Sequence, residues 1–346
     1  MAMIHVALSV ATLLILRNVF SVPPMAIVAL ALLLLCLASN RAPQSAEQVL
    51  PVNESGLSAG FSWGVSALQG RRPYMEDMYQ VAALTEAQSL GASRVGMTHF
   101  FAVFDGHGGK RAALWAHKHL LHTVTEKLDD KADEDGAMLN GMDEGVRRRL
   151  LEDACKEGFT ATDNEFIRYA VQHAIPDGTT AVCCMLQSSL GNAQPRRLLV
   201  ANVGDSRCAM VKRNGSAVAL SRDHKPNRPD EKARVEAAGG HVIFAGCWRV
   251  QGDLAVSRAF GDLHLKRYGV CAEPELTSFL LCEEDAFLIL ASDGLWDVVD
   301  EAQCARAVLL SSDMKQAARA LTDLAMERGT MDNVTALVVD LRCIDC

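Results

Sequence analysis

Several acidic residues of this 346-residue chain stand where a solvated surface acid would not ordinarily be found. Asp105 ends the apolar run His99–Phe104 and opens Gly106-His107-Gly108-Gly109. Asp293 ends Phe287–Ser292 and is followed by Gly294. Asp332 and Asn333 precede an apolar run that begins at Val334, and Glu76 and Asp77 close the segment Gly70-Arg-Arg-Pro-Tyr-Met-Glu-Asp77. Carboxylates carried on the ends of buried strands are fixed in space, and such a set can cage a hard divalent cation. Mg²⁺ and Mn²⁺ take oxygen ligands: carboxylates, backbone carbonyls and water. A glycine after Asp105 would leave its own carbonyl open to the same ion. Each Asp-Gly pair alone reads equally well as a turn. It is the set that points to metal chemistry.

Strands and helices must bring these residues together. Short apolar runs predict strands at Thr98–Phe104, Thr179–Leu186, Leu198–Asn202, Arg207–Lys212, Phe287–Ala291 and Val334–Leu341. Asn214-Gly215 predicts a hairpin between Arg207–Lys212 and Ser216–Leu220. Helical spacing covers Arg111–Leu128, Met142–His173 (one kinked helix or two), Arg228–Ala238, Glu301–Leu310 and Met314–Glu327. Strands and helices do not alternate simply, so a doubly wound sheet fits poorly. A mainly antiparallel, layered α+β domain fits better.

Bulk properties narrow the function. Hydrophobic residues form 49% and charged residues 22% of the chain, enough apolar content for a compact core. Beyond residue 40 the balance is 33 basic to 42 acidic residues. Such a surface does not favour nucleic acid, whose affinity rests on Lys and Arg. It also repels an anionic phosphoester unless bound cations reverse the field locally. The 11 cysteines follow no CxxC…HxxxH spacing and read as reduced structural thiols. Cys183 and Cys184, adjacent in one strand, should face opposite sides of it.

Eight blocks in order then show a resemblance. They are Arg72-Pro-Tyr-Met-Glu-Asp77, Phe101-Ala-Val-Phe-Asp-Gly-His-Gly-Gly109, Gly178-Thr-Thr-Ala181, Asn202-Val-Gly-Asp-Ser-Arg207, Asp223-His-Lys-Pro226, Leu254-Ala-Val-Ser-Arg-Ala-Phe-Gly-Asp262, Ser292-Asp-Gly-Leu-Trp-Asp297 and Asp332-Asn333. From about Trp63 to about Leu341 the chain resembles the metal-dependent protein phosphatases of type 2C. The resemblance implies a four-layer αββα sandwich: two mainly antiparallel sheets flanked by helix pairs. It implies two Mg²⁺ or Mn²⁺ ions per subunit. Asp105 would bridge them, with the Gly106 carbonyl, Asp293 and Asp332 as further ligands, and Glu76 and Asp77 binding the ions or orienting water. Arg72 would hold the substrate phosphate and His107 would protonate the leaving serine or threonine oxygen. The implied substrates are phosphoproteins, and the implied state is a monomer. Asp205 reads as a turn-former. The segment Asp223–Pro226 would belong to a flap with a part in substrate choice rather than in chemistry. A non-catalytic relative would be expected to lack some of these ligands.

The chain departs from that pattern in two places. Where many relatives carry an aspartate for a third, weaker ion, this sequence has Ile175; Asp177 could substitute, and Asp297 could either serve that ion or cap the next helix. At the amino terminus, Val19–Ser39 is 21 residues without a charge, long enough for a membrane span. A cleaved signal and an organelle-targeting sequence are the competing readings. The preferred reading is an anchor at 1–40, a linker at 41–60 and a catalytic domain at 61–342 facing the cytosol.

Overall fold

The computed structural model describes residues 52–58, 61–85, 88–134, 143–187 and 196–342. The chain begins with β1 (Val52–Ser58), β2 (Phe61–Leu68), β3 (Met78–Ala83), a short helix α1 (Leu90–Arg94), β4 (Met97–Phe104) and β5 (Gly106–His107). Two long helices follow, α2 (Arg111–Glu134) and α3 (Glu144–His173), then β6 (Gly178–Thr179), β7 (Ala181–Gln187), β8 (Arg197–Val203), β9 (Arg207–Lys212) and β10 (Ala217–Ala219). Next come α4 (Pro229–Ala237), the hairpin β11 (Val242–Ala245) and β12 (Cys247–Val250), β13 (Phe260–Gly261) and α5 (Leu263–Lys266). The fold closes with β14 (Glu275–Leu280), β15 (Asp285–Ala291), α6 (Asp293–Trp296), α7 (Glu301–Leu309), α8 (Met314–Glu327) and β16 (Val334–Asp340).

Two sheets carry the architecture. One has six strands in the order β1-β2-β16-β15-β9-β10; the other has five, β14-β8-β7-β4-β3. Neighbouring strands in both are antiparallel. Their inner faces meet in one apolar layer that includes Val65, Phe101, Val103, Val182, Leu198, Met210, Leu288, Leu290 and Leu337. The alternate residues face outward. On β4, β7 and β8 these are Phe100, Ala102, Cys183, Met185 and Leu199, packed under α2 and α3 with Leu120, Val124 and Phe159. On β9, β15 and β16 they are Val211, Ile289 and Val338, packed under α6, α7 and α8 with Leu295, Val308 and Leu321. This is the four-layer αββα sandwich that the resemblance implies. Central strands covered on both faces read as unbroken apolar runs, which is why the sequence marked them so clearly. Cys183 and Cys184 lie in different layers, as alternation requires.

Helix boundaries have local causes. Asp143 caps α3 by accepting from the Gly145 amide at 2.9 Å, and Ala174 ends it in the left-handed region at φ 50°. Glu144–His173 is therefore one helix. Asp300, not Asp297, caps α7, through a capping box with Gln303. The strand expected at Thr179–Leu186 is split at Thr180, and the break serves the site described below. Val52–Ser58, within the stretch read as a linker, adds a strand to the edge of the six-stranded sheet.

The membrane placement expected from the sequence is corrected. Among the described residues no helix is long and apolar enough to cross a membrane. Val19–Ser39, on which that expectation rested, lies outside the described residues.

Candidate metal and phosphate site

Asp105 sits at the exit of β4, where the chain leaves the five-stranded sheet. Its backbone is clamped: the Thr180 amide (2.9 Å) and the Thr179 hydroxyl (3.0 Å) donate to its carbonyl, while its own amide donates to Thr180 Oγ1 at 3.2 Å. The Gly-Thr-Thr block therefore breaks the strand in order to hold an aspartate still. From the other sheet, β15 runs into Ser292 and Asp293, and β16 is entered through Asp332 and Asn333. Asn333 is the staple here. Its amide nitrogen donates to the carbonyls of Gln69 (2.7 Å) and Tyr74 (3.0 Å), and its Oδ1 accepts from the Glu76 amide at 2.9 Å. The loop bearing Arg72, Glu76 and Asp77 is thus folded onto the start of β16. Ser292 donates to Asp77 Oδ2 at 2.9 Å.

The glycine after each strand-end aspartate has a common reason. A Cβ on Gly106 would stand 2.5 Å from the Glu76 carbonyl oxygen, and one on Gly294 would stand 2.0 Å from that of Asn333. Neither glycine has a positive φ. Both are needed for close approach of a neighbouring backbone rather than for a turn.

Asp105, Asp293 and Asp205 each place a carboxylate oxygen within 4.8 Å of the other two. Asp205 lies in the bend just beyond β8, and its carboxylate joins the cluster. Lys225, from the Asp223–Pro226 segment, donates to Asp205 Oδ2 at 2.5 Å, so that segment brings a charge to the cluster. Asp223 itself is held by Arg207, at 2.9 and 2.8 Å.

Burial and mutual repulsion dominate the electrostatics. Burial lifts the Asp105 carboxyl well above its usual range, and Asp293, Asp77, Asp205 and Asp332 add to the rise. Asp293 is raised likewise, by burial first and then by Asp205, Asp297 and Asp332, with Lys225 opposing. Burial pushes Asp77 up to about 7 against the nearby Thr335 and Ser292 hydroxyls, and Asp332 and Glu76 contribute repulsion. Asp77 is only 4% exposed, and its Oδ1 has no hydrogen-bond partner of ordinary geometry. Converging buried and half-buried carboxylates with an orphaned oxygen are the donor set that a hard divalent cation satisfies.

A pH dependence follows with a defined sign. Folded Asp77 keeps its proton to about pH 7, whereas the unfolded chain releases it near 3.8. The folded state then binds more protons across that window, so stability falls as pH rises. In chelator, the full chain should lose about 3 kcal/mol between roughly pH 5 and pH 8 from this group alone. Asp105 and Asp293 act in the same direction. Saturating Mn²⁺ should flatten the slope in thermal denaturation, and a metal-free protein that gains stability over this range would refute the account.

His107 and Arg72 flank the cluster. Arg72 is 54% exposed and its guanidinium pairs with Asp332. His107, with 31% of its side chain exposed, lies on β5, and its Nε2 meets Asp262 Oδ2 at 2.7 Å. Burial opposes charge on this ring, but Asp262, Asp205 and Glu76 outweigh it and raise its pKa. Asp262 is a residue to which the sequence reading gave no role. It closes the block Leu254–Asp262, and its burial and its partner are visible only in the fold.

The residues weighed for a third ion are placed otherwise. Ile175 is buried with Ala112, Phe166 and Ala170 in an apolar cluster. Asp177, fully buried, accepts from the Arg111 amide at 3.0 Å and from Arg111 Nε at 2.8 Å, so its carboxylate is committed to the start of α2. Asp297 ends α6, and burial with Asp205 and Asp223 raises its pKa against Lys225.

Comparison with known proteins agrees with this geometry. Residues 61–334 match the family described as "Protein phosphatase 2C". "Probable protein phosphatase 2C 59" of Oryza sativa subsp. japonica is 41% identical over 291 residues, spanning 84% of this chain and 79% of that protein. "Probable protein phosphatase 2C 69" of Arabidopsis thaliana is 38% identical over 307 residues, 88% of this chain and 77% of that one. In fold, the chain is similar to the crystal structure of a serine-threonine phosphatase 2C from Toxoplasma gondii, with a TM-score of 0.70, 24% identity and coverage of 84% and 98% of the two chains.

Proposed function

We propose that this chain, which belongs to the protein phosphatase 2C family of metal-dependent protein-serine/threonine phosphatases, works through two divalent ions held where its sheets meet. The convergence of Asp105, Asp205 and Asp293 carries this reading. Asp105, Asp293, Asp332 and the Gly106 carbonyl would hold the ions. Glu76 and Asp77 would bind the ions or the water around them, and Asp205 joins the set. Bound Mg²⁺ or Mn²⁺ supplies Lewis-acid stabilisation of phosphoryl charge and makes water acidic enough to attack phosphorus near neutral pH.

The protein's own groups have the remaining tasks. Arg72, exposed at the rim and paired there with Asp332, would turn its planar fork onto the phosphoryl oxygens of a phosphoserine or phosphothreonine side chain. His107 gives a proton to the departing serine or threonine oxygen, an alkoxide too basic to leave unassisted. Lys225 holds Asp205 in place and offsets part of the negative field that would otherwise repel the substrate. Ile175 is apolar, and the Asp177 carboxylate is already occupied by Arg111. A third ion therefore has no aspartate waiting for it on that side, and turnover rests on the pair. The catalytic unit is the 61–342 region, with β1 adding an edge strand.

Metal removal tests this directly. The purified full chain should release phosphate from a phosphothreonine peptide with Mn²⁺ or Mg²⁺, lose all measurable rate in chelator, and regain it when the ion is restored. Calorimetry should count two ions. A folded protein with no metal-dependent hydrolysis across several phosphopeptides would overturn the enzyme reading, and a stoichiometry of one would overturn the pair.

A further inference from the structure

Asp262 is buried, at 3% exposure, and its backbone lies in the left-handed region at φ 48° and ψ 46°. Aspartate is among the few residues besides glycine that enter that region, which most side chains avoid. Asp262 stands at the start of α5, yet its side chain makes no capping bond to that helix. The left-handed backbone and the buried charge serve something else, and the only side chain bonded to its carboxylate among the described residues is His107.

The surroundings fix it there from three directions. The Asp262 amide donates to the Asp177 carbonyl at 3.1 Å. The preceding Gly261 amide donates to Asp163 Oδ1, on α3, at 2.8 Å. Lys266, on α5, bonds Asp163 Oδ2 at 2.6 Å and the Ala259 carbonyl at 2.8 Å. Beneath the pair runs the three-stranded sheet β13-β6-β5, in which Gly178 is opposite both Gly261 and His107. Because Gly178 has no side chain, the imidazole and the carboxylate meet above it. A Cβ there would stand 2.1 Å from Asp262 Oδ2 and 2.3 Å from His107 Nε2.

We infer that Asp262, held by Asp163 and Lys266 of the helical layer, is the positioning residue that fixes the His107 ring, so that Nε2–H is given to Asp262 and Nδ1 faces the leaving oxygen. The inference rests on His107 being the proton donor. The ring otherwise has two nitrogens and free rotation about its χ angles, and a carboxylate on one nitrogen settles both the tautomer and the direction of the other. Proton transfer is sensitive to such placement, since it needs the donor within hydrogen-bond reach of the oxygen it protonates. The connection reaches from α3 through β13 to β5 and ties the outer layer to the proton donor.

Leaving-group chemistry tests it. A phosphothreonine peptide needs a proton on its departing oxygen, whereas p-nitrophenyl phosphate expels an anion that is stable without one. Asn and Gly both tolerate the left-handed region, so Asp262→Asn and Asp262→Gly keep the backbone while removing the carboxylate. Each should lower kcat on the peptide by about 30- to 100-fold, with KM unchanged within about twofold, and the loss on p-nitrophenyl phosphate should be at least about tenfold smaller. His107→Gln should show the same selectivity, and Asp262→Asn added to it should change little further. In the unaltered protein, ¹⁵N spectra of the imidazole should show Nε2 protonated. If His107→Gln is selective but both Asp262 variants lose the two substrates equally, or lose neither, the positioning role is wrong and the proton donor stands. If His107→Gln itself is unselective, the proton donor and the positioning role fall together. An unprotonated Nε2 would also overturn the assignment, whatever the variants do.

Discussion

Replacing Asp105 with Asn should reduce turnover of a phosphothreonine peptide by about a thousandfold or more, roughly 4 kcal/mol in the barrier. The change is nearly isosteric. The clamp from Thr179 and Thr180 acts on the backbone of residue 105 and survives it. What is lost is one negative charge at the centre of the carboxylates. The same substitution should make the metal-free protein more stable, because the half-buried Asp105 is desolvated and repelled by Asp293, Asp77, Asp205 and Asp332. Loss of function with gain of stability is the signature of a residue kept for chemistry at the expense of folding. The measurements are steady-state rates in Mn²⁺ and thermal denaturation in chelator. A variant that is both inactive and less stable in chelator would place Asp105 in the framework instead.

The second large effect is expected from a single methyl group. Gly178→Ala should cut kcat on a phosphothreonine peptide by about a hundredfold, on the scale of losing proton donation. Its cost in stability should be about 1–3 kcal/mol, typical of forcing a methyl into a filled space. Residue 178 cannot move aside, because β6 is bonded to β5 on one flank and β13 on the other. The new Cβ therefore parts His107 from Asp262. A Gly178→Ala variant with wild-type kcat would show that contact to be dispensable.

Much of this architecture was legible in the sequence because burial on both faces leaves a strong trace. The central strands β4, β7, β8, β9, β15 and β16 read as apolar runs, and the aspartates at the ends of β4 and β15 stood out against them. The edge strands β1, β3 and β14 did not, nor did the interior strand β2, and the edge strand β10 was marked by its Asn214-Gly215 turn. Every residue of β3 is half-buried, and such a strand has neither an apolar run nor clean alternation to announce it. Asp205 reads as a turn-former from Gly204-Asp205-Ser206 and does sit in a bend, just beyond the buried strand Arg197–Val203, yet its carboxylate also meets the cluster. Lys225 and Asp262 escaped for another reason. Each acts on a partner 20 or 155 residues away, through contacts that no local pattern encodes.

The carboxylates also differ in which sheet supplies them. Asp77 and Asp105 belong to the ends of β3 and β4, Asp293 and Asp332 to β15 and β16 of the opposing sheet, and Asp205 to the crossing from β8 to β9. Their repulsion consequently acts across the sandwich, as a wedge at the mouth of a closed book. A cation held between them would be a clasp on the same edge. The covers are glued by the apolar layer between them, and a cation at this margin would offset the repulsion that works to part them there.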